Sequence, residues 1–130
     1  MVTRRSLLKA ATAAAVFASA TAFAAEEQPF TRSAFETAQN AGKSILVEIH
    51  ASWCPTCKAQ KPILSKLFGD PKFKNLAVFR VDFDDQKDEV RNFKARIQST
   101  LITFKGKEEV ARSVGDTNPD SIADLLALAL

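Results

Sequence analysis

The chain has 130 residues and two cysteines, spaced as Cys54-Pro55-Thr56-Cys57. A C-x-x-C pair admits few chemistries. A structural zinc site takes four ligands, and beyond the pair the chain offers one histidine, His50, so only a half site or a shared site would form. Haem attachment needs histidine directly after the second cysteine, and Lys58 stands there. A structural disulfide closing so short a loop restricts the unfolded chain little. Redox exchange is the leading reading, with metal handling and an inert bond as its rivals. In that exchange Cys54, expected to be the better placed and more exposed thiol, attacks a disulfide. Cys57, one turn further on, resolves the mixed disulfide. The reverse sequence would oxidise a dithiol.

Such a pair needs elements to position it. Residues 44–49 form a short apolar, β-branched run that reads as a buried strand. Ala51-Ser52-Trp53 leads from it into the cysteines. Residues 57–68 follow as a helix, with Ala59, Ile63, Leu64 and Leu67 on one face. A thiol at the start of a helix faces unpaired backbone N–H groups and the positive end of the helix dipole, which favour the thiolate. Pro55 suits a first turn, where no donor is needed.

The flanking sequence alternates helix and strand. Phe30, Ala34, Phe35 and Ala38 mark a helix capped by Thr31 or Ser33 and ended by Ala41-Gly42. Gly69-Asp70-Pro71 stops the cysteine helix, and residues 76–83 form the next strand. Asp84 or Asp85 is expected to cap a helix over 86–95. Residues 100–104 and 108–114 are strands joined by Lys105-Gly106-Lys107, a turn so short that the pair must be antiparallel. Asn118-Pro119-Asp120 opens a last helix that buries Ile122, Leu125, Leu126 and Leu128. The first two strands need a crossover and lie parallel. The expected fold is α/β, a mixed sheet of about four strands with helices on both faces. Phe73, Phe79, Phe83, Phe93 and Phe104 read as core. Asp82, Asp84, Asp85, Asp88 and Glu89 read as a solvated loop and helix start, without the glycine and oxygen spacing of a calcium loop.

Residues 1–24 read as a cleaved export signal, and 25–130 as one domain. The signal has a basic start, an Ala-rich apolar middle and the A-x-A site Ala22-Phe23-Ala24, with cleavage before Ala25. The run from Thr3 through Arg4-Arg5 to Lys9 resembles a twin-arginine export signal; an ordinary Sec signal is the alternative. The apolar run is shorter than the ~20 residues of a spanning helix, so no stable membrane insertion after cleavage is expected. The implied location is a bacterial periplasm, where disulfides form and persist. The formal net charge is +3. Arg4, Arg5 and Lys9 account for all of it, leaving 15 basic and 15 acidic residues in the remainder. A neutral domain gives no electrostatic reason to bind nucleic acid or an anionic membrane.

Trp53-Cys54-Pro55-Thr56-Cys57-Lys58 matches W-C-x-x-C-K. Pro62 falls five residues after the second cysteine, where it would kink the helix, and continues as Pro62-Ile63-Leu64; a Phe104-Lys105-Gly106 hairpin lies further on. On these motifs the chain, over about residues 30–130, resembles the thioredoxin superfamily. The resemblance implies a thioredoxin-like three-layer α/β/α fold and a protein-disulfide oxidoreductase without cofactor or metal. It would act as a monomer on exported proteins with disulfides or thiols and be recharged by a membrane thiol electron donor. C-P-T-C also occurs in periplasmic relatives that reduce apocytochromes, and the chain lacks room for the helical insertion of the periplasmic oxidases. Both favour a reductase. A dithiol oxidase or isomerase, or a metal-handling or redox-sensing module without turnover, is the alternative.

The family buries an acid beneath the cysteines, and Glu48 occupies that place. A buried carboxylate has a raised pKa and would exchange the proton of Cys57. Arg80 stands where the family has a lysine near that acid, and either pairs with Glu48 or lies at the surface. Trp53 is expected to be a partly exposed lid. His50 reads as a satisfied or surface histidine. One departure concerns the cis-proline that faces the family's cysteines: here Ser99 takes its place. A non-proline cis bond costs about 3 kcal/mol, so Gln98–Ser99 is expected to be trans. Ser99 would offer a hydroxyl near Cys54, and loss of the proline would open the pair to a metal ion. Trp53, Pro55, Thr56, Ser99 and Thr100 are the residues expected to bind substrate or tune the pair.

Overall fold

A computed structural model describes residues 12–16 and 24–130. The export-signal reading of residues 1–24 therefore lies almost wholly outside the described residues. Those residues form β1 (Glu27–Pro29), α1 (Arg32–Asn40), β2 (Ser44–His50), α2 (Pro55–Phe68), β3 (Ala77–Asp82), α3 (Lys87–Asn92), β4 (Thr100–Lys105), β5 (Glu108–Val114) and α4 (Pro119–Ala127). A single 3-10 turn, Pro71–Phe73, follows α2.

The strands make one sheet in the order β1-β3-β2-β4-β5. β2 sits at its centre, parallel to β3 and antiparallel to β4. Residues 45–49 are all buried, as a strand covered on both faces requires. α2 and α4 cover one face, packing Leu64, Phe68, Ile122, Leu125 and Leu126 over Leu46, Val78 and Leu101. α1 and α3 cover the other, packing Phe35, Ala38, Val90 and Phe93 over Ile45, Val47, Phe79 and Ile102. There the Phe35 ring lies 5.3–5.8 Å from the rings of Phe30, Phe79, Phe93 and Phe104. These are distances at which aromatic pairs add attraction beyond their buried area. The result is a three-layer α/β/α sandwich.

The caps explain the helix starts. Thr31 accepts from Ala34 N, and Asn118 accepts from Ser121 N with Pro119 in the first turn. In the β4–β5 turn Gly106 has φ +59°, and a Cβ there would come within 3.4 Å of Gly42 Cα. Position 106 therefore favours glycine for its left-handed backbone, while the contact with Gly42 is an ordinary van der Waals one.

Several expectations are corrected. A fifth strand joins the sheet: β1 pairs parallel with the edge of β3, and Phe30 N then donates to Arg80 O at 2.8 Å. Three residues ending in proline are too few for a period-2 pattern, though proline suits an edge. α3 starts at Lys87 rather than 86 and has no side-chain cap. Asp84 and Asp85 instead give their N–H groups to Asp82 Oδ1, each at 2.9 Å. Leu128 is 57 % exposed, because it lies past the end of α4 as its C-cap. On α2 the buried face runs through Cys57, Gln60, Leu64 and Phe68, and Ala59 is exposed.

Candidate active site at the start of α2

The C-terminal end of β2 delivers the chain through Ala51–Trp53 to Cys54, the N-cap of α2, with extended backbone at φ −78°, ψ 115°. Its Sγ accepts the backbone N–H of Cys57 at 3.1 Å. A donor that the first helical turn would leave unpaired thus ends on sulfur, and the helix dipole adds to the stabilisation of negative charge there. Pro55 occupies the first turn and is exposed, and Thr56 is half-buried. Both thiols are free.

Cys54 is not the more exposed of the two. It is 1 % exposed and Cys57 4 %. Its cap role turns the sulfur inward onto the helix end, and Ala51 and Phe83 pack around the pair. The Cys57 thiol is pushed up to about 11, first by burial and then by its hydrogen bond with Cys54; backbone hydrogen bonds with Ala51 and Ser99 act in the opposite direction. At neutral pH Cys57 therefore holds its proton and must lose it before it can attack.

Ser99 lies beside Cys57, and the described residues contain no cis peptide bond. The turn solves its geometry another way: Ser99 has φ +62°, a left-handed conformation that costs a residue with a Cβ about 1–2 kcal/mol. Its hydroxyl does not face Cys54 but donates to Gln98 O. Thr100 is 1 % exposed, and its hydroxyl donates to Ile97 O at 2.7 Å, so it braces the same turn rather than facing a substrate.

Trp53 is 55 % exposed, and its Nε1–H donates to Asp84 Oδ2 at 2.7 Å. The acidic segment after β3 is thus more than a solvated loop. Asp82 folds the turn, and Asp84 holds the indole beside the cysteines.

Glu48 faces α2 from the centre of the sheet and is 4 % exposed. It lies opposite Arg80 in the β2–β3 register. Arg80 Nε reaches Glu48 Oε2 at 3.5 Å, and Arg80 Nη2 reaches Glu27 Oε1 at 2.8 Å. Burial raises the Glu48 carboxyl to about 8; a hydrogen bond with Glu27 and the charge of Glu27 add to the rise, against Arg80. One arginine is thus shared by two carboxyls, of which Glu27 holds the closer contact and Glu48 keeps the proton. A cavity of about 320 Å³ between the sheet and α2 is lined by Glu27, Glu48, Lys61, Ser65 and Arg80 among others. It opens toward the C-terminal half of α2 and does not reach the cysteines. The groups acting on the Cys57 thiol are Cys54, Ala51 and Ser99, so the structure does not bring Glu48 onto it. A larger depression of about 610 Å³ lies at the opposite end of β2, beside Lys43 and Ser44, away from the pair. His50 is half-buried, and burial, then Arg80, lowers its pKa.

Sequence reasoning missed Glu27, Asp84 and Gln60. Gln60 carried a signal: it lies three residues after Cys57 and four before Leu64, on the stripe that helical periodicity buries. Glu27 had none, because β1 is too short to show a pattern.

The family model described as Thioredoxin matches residues 26–127. A Thioredoxin H-type of Fagopyrum esculentum is 37 % identical over 81 residues, which cover 62 % of this chain and 68 % of that protein. Thioredoxin-1 of Saccharomyces cerevisiae is 30 % identical over 97 residues, covering 75 % and 91 %. Among solved structures, Trxlp from Edwardsiella tarda superposes with a TM-score of 0.76 at 42 % identity, over 78 % of this chain and 98 % of that one. With a cysteine pair capping a helix on a mixed α/β/α sheet, and a match that spans most of the sequence, the chain belongs to the thioredoxin family and is a thiol–disulfide oxidoreductase.

Proposed function

We propose that the protein is an exported protein-disulfide reductase. The observation that carries the exchange chemistry, and the order in which the two thiols act, is the asymmetry of the pair. The Cys54 sulfur is stabilised at the helix start by Cys57 N–H, whereas the Cys57 thiol is held protonated at neutral pH. Cys54 thiolate attacks a substrate disulfide, forming the mixed disulfide, and one substrate sulfur leaves and takes up a proton. Cys57 then gives up its proton and attacks Cys54 Sγ. The second substrate sulfur leaves, and the Cys54–Cys57 disulfide remains. A membrane thiol donor returns two electrons and restores the dithiol. Glu48 is our choice of base for the Cys57 proton: its carboxyl ionises at about 8, so its ionised fraction is matched to proton transfer near neutrality, and since it does not touch the thiol the proton would pass through an intervening water. The exposed Trp53, Ile97 and Val114 are the apolar surface on which a substrate chain would rest.

Reductase and oxidase share this chemistry and differ in poise. The purified domain, supplied with dithiothreitol, is expected to reduce insulin disulfides, and its pair to show a potential of about −270 mV; a value near about −120 mV would make it an oxidant. Export is tested separately. Arg4→Lys combined with Arg5→Lys should leave the protein in the cytoplasm, whereas unchanged export would assign it to the Sec route.

A further inference from the structure

Ser99 is a non-glycine residue in left-handed conformation, 4 % exposed and in backbone contact with Cys57. Proline cannot hold that turn here, so other groups must. Ser99 N donates to Ile49 O at 2.7 Å, and Ser99 O accepts from Gly115 N at 3.0 Å. A third bond comes from the active-site helix itself. Gln60 Nε2 donates to Ser99 O at 3.3 Å and to Asp116 O at 2.9 Å.

Gln60 is 3 % exposed and stands on the face of α2 that also buries Cys57 and Leu64. An apolar side chain would satisfy packing at such a position, so a buried amide there is explained by the bonds it makes. Asp116, its second acceptor, is anchored in turn: its side chain accepts from Asn118 N at 2.9 Å and from the Ser121 hydroxyl at the start of α4. One side chain therefore ties the cysteine helix to the Ser99 turn and to the segment entering α4. Exposed Ile97 lies two residues before Ser99, and exposed Val114 ends β5 directly before the second segment.

We propose that Gln60 is a positioning residue for thiol exchange: its amide fixes the Ser99 turn and the 115–118 segment against α2, so that a protein substrate is held in register with the cysteines. The proposal rests on Cys54 and Cys57 being the reacting pair. It separates two kinds of substrate. A folded or extended protein disulfide must dock on these segments, whereas a small aromatic disulfide needs only the sulfur.

The test compares insulin with 5,5′-dithiobis(2-nitrobenzoate) as substrates of Gln60→Leu, with folding checked by circular dichroism. Misplacing a positioned group by an ångström costs up to about a hundredfold. The expected result is a fall of about tenfold or more in kcat/KM for insulin, with the small disulfide changed less than about twofold. A folded variant that keeps the wild-type ratio of the two overturns the proposal. Should Gln60→Leu fail to fold, Gln60→Glu read across pH decides. Its carboxyl donates only while protonated, so the insulin-to-small-disulfide ratio should drop as it ionises, and a flat ratio overturns the proposal. Wild-type protein that fails on insulin would sink the reductase reading instead, since the comparison needs a working wild type.

Discussion

Cys54→Ala is expected to abolish insulin-disulfide reduction, lowering the rate by more than about 10³-fold, because no other group on the chain can form the covalent intermediate. Two features of the site sharpen this. The sulfur that caps α2 is the one with a helix N–H directed at it, and burial, the largest cause of the raised Cys57 pKa, persists in the variant and keeps that thiol a poor nucleophile at neutral pH. Cys57→Ala should behave differently. It leaves the attack intact and removes the resolving step, so mixed disulfides with substrate proteins should accumulate and be visible on non-reducing gels. A Cys54→Ala protein retaining more than about a tenth of wild-type turnover would be incompatible with the mechanism.

Glu48→Gln is expected to make the protein more stable in alkali and slower in catalysis. The folded carboxyl ionises at about 8 against an ordinary value of 4.5. Between those values the folded chain binds a proton that the unfolded chain has released. Stability from this group is thus fully present below pH 4.5 and is lost as pH rises through about 8. Glutamine stays neutral throughout and can still donate to Glu27. Above pH 8 the variant should exceed the wild type by roughly 3–5 kcal/mol, a rise in Tm of about 15 °C or more for a domain of this size. Denaturant melts from pH 4 to 9 check this, with a flattened pH slope as the signature. If Glu48 is the base for Cys57, the same variant should reduce insulin about 10–100-fold more slowly at pH 7 and lose the inflection near 8. A flattened slope with unchanged turnover would keep the buried acid and remove its catalytic role.

Both experiments concern residues that could be named before the fold was seen, and the reason is local. Cys54-Pro55-Thr56-Cys57 sits where a strand-like run gives way to a helical one, so the position of the sulfurs on a helix end was legible from periodicity and cap chemistry. Asn118-Pro119-Asp120 was legible on the same grounds. What escaped was set by contacts across the sequence. The sharing of Arg80 by Glu27 and Glu48 depends on a three-residue strand pairing with β3. The burial of Cys54 depends on Ala51 and Phe83 closing over it. The left-handed Ser99 turn depends on donors from positions 60 and 115. A pattern of apolar spacing marks Gln60 as inward-facing, but only the acceptors that meet it explain why the residue is polar.

The indole of Trp53, bonded to Asp84 next to Cys54, gives the molecule a built-in optical label. The chain has one tryptophan and no tyrosine, so emission excited beyond the phenylalanine band originates at one place, the residue directly before Cys54. Oxidation, formation of a mixed disulfide and release of the Asp84 contact all alter the surroundings of that single chromophore, and no second one dilutes the signal. Each step of the exchange can therefore be followed in unlabelled protein in real time.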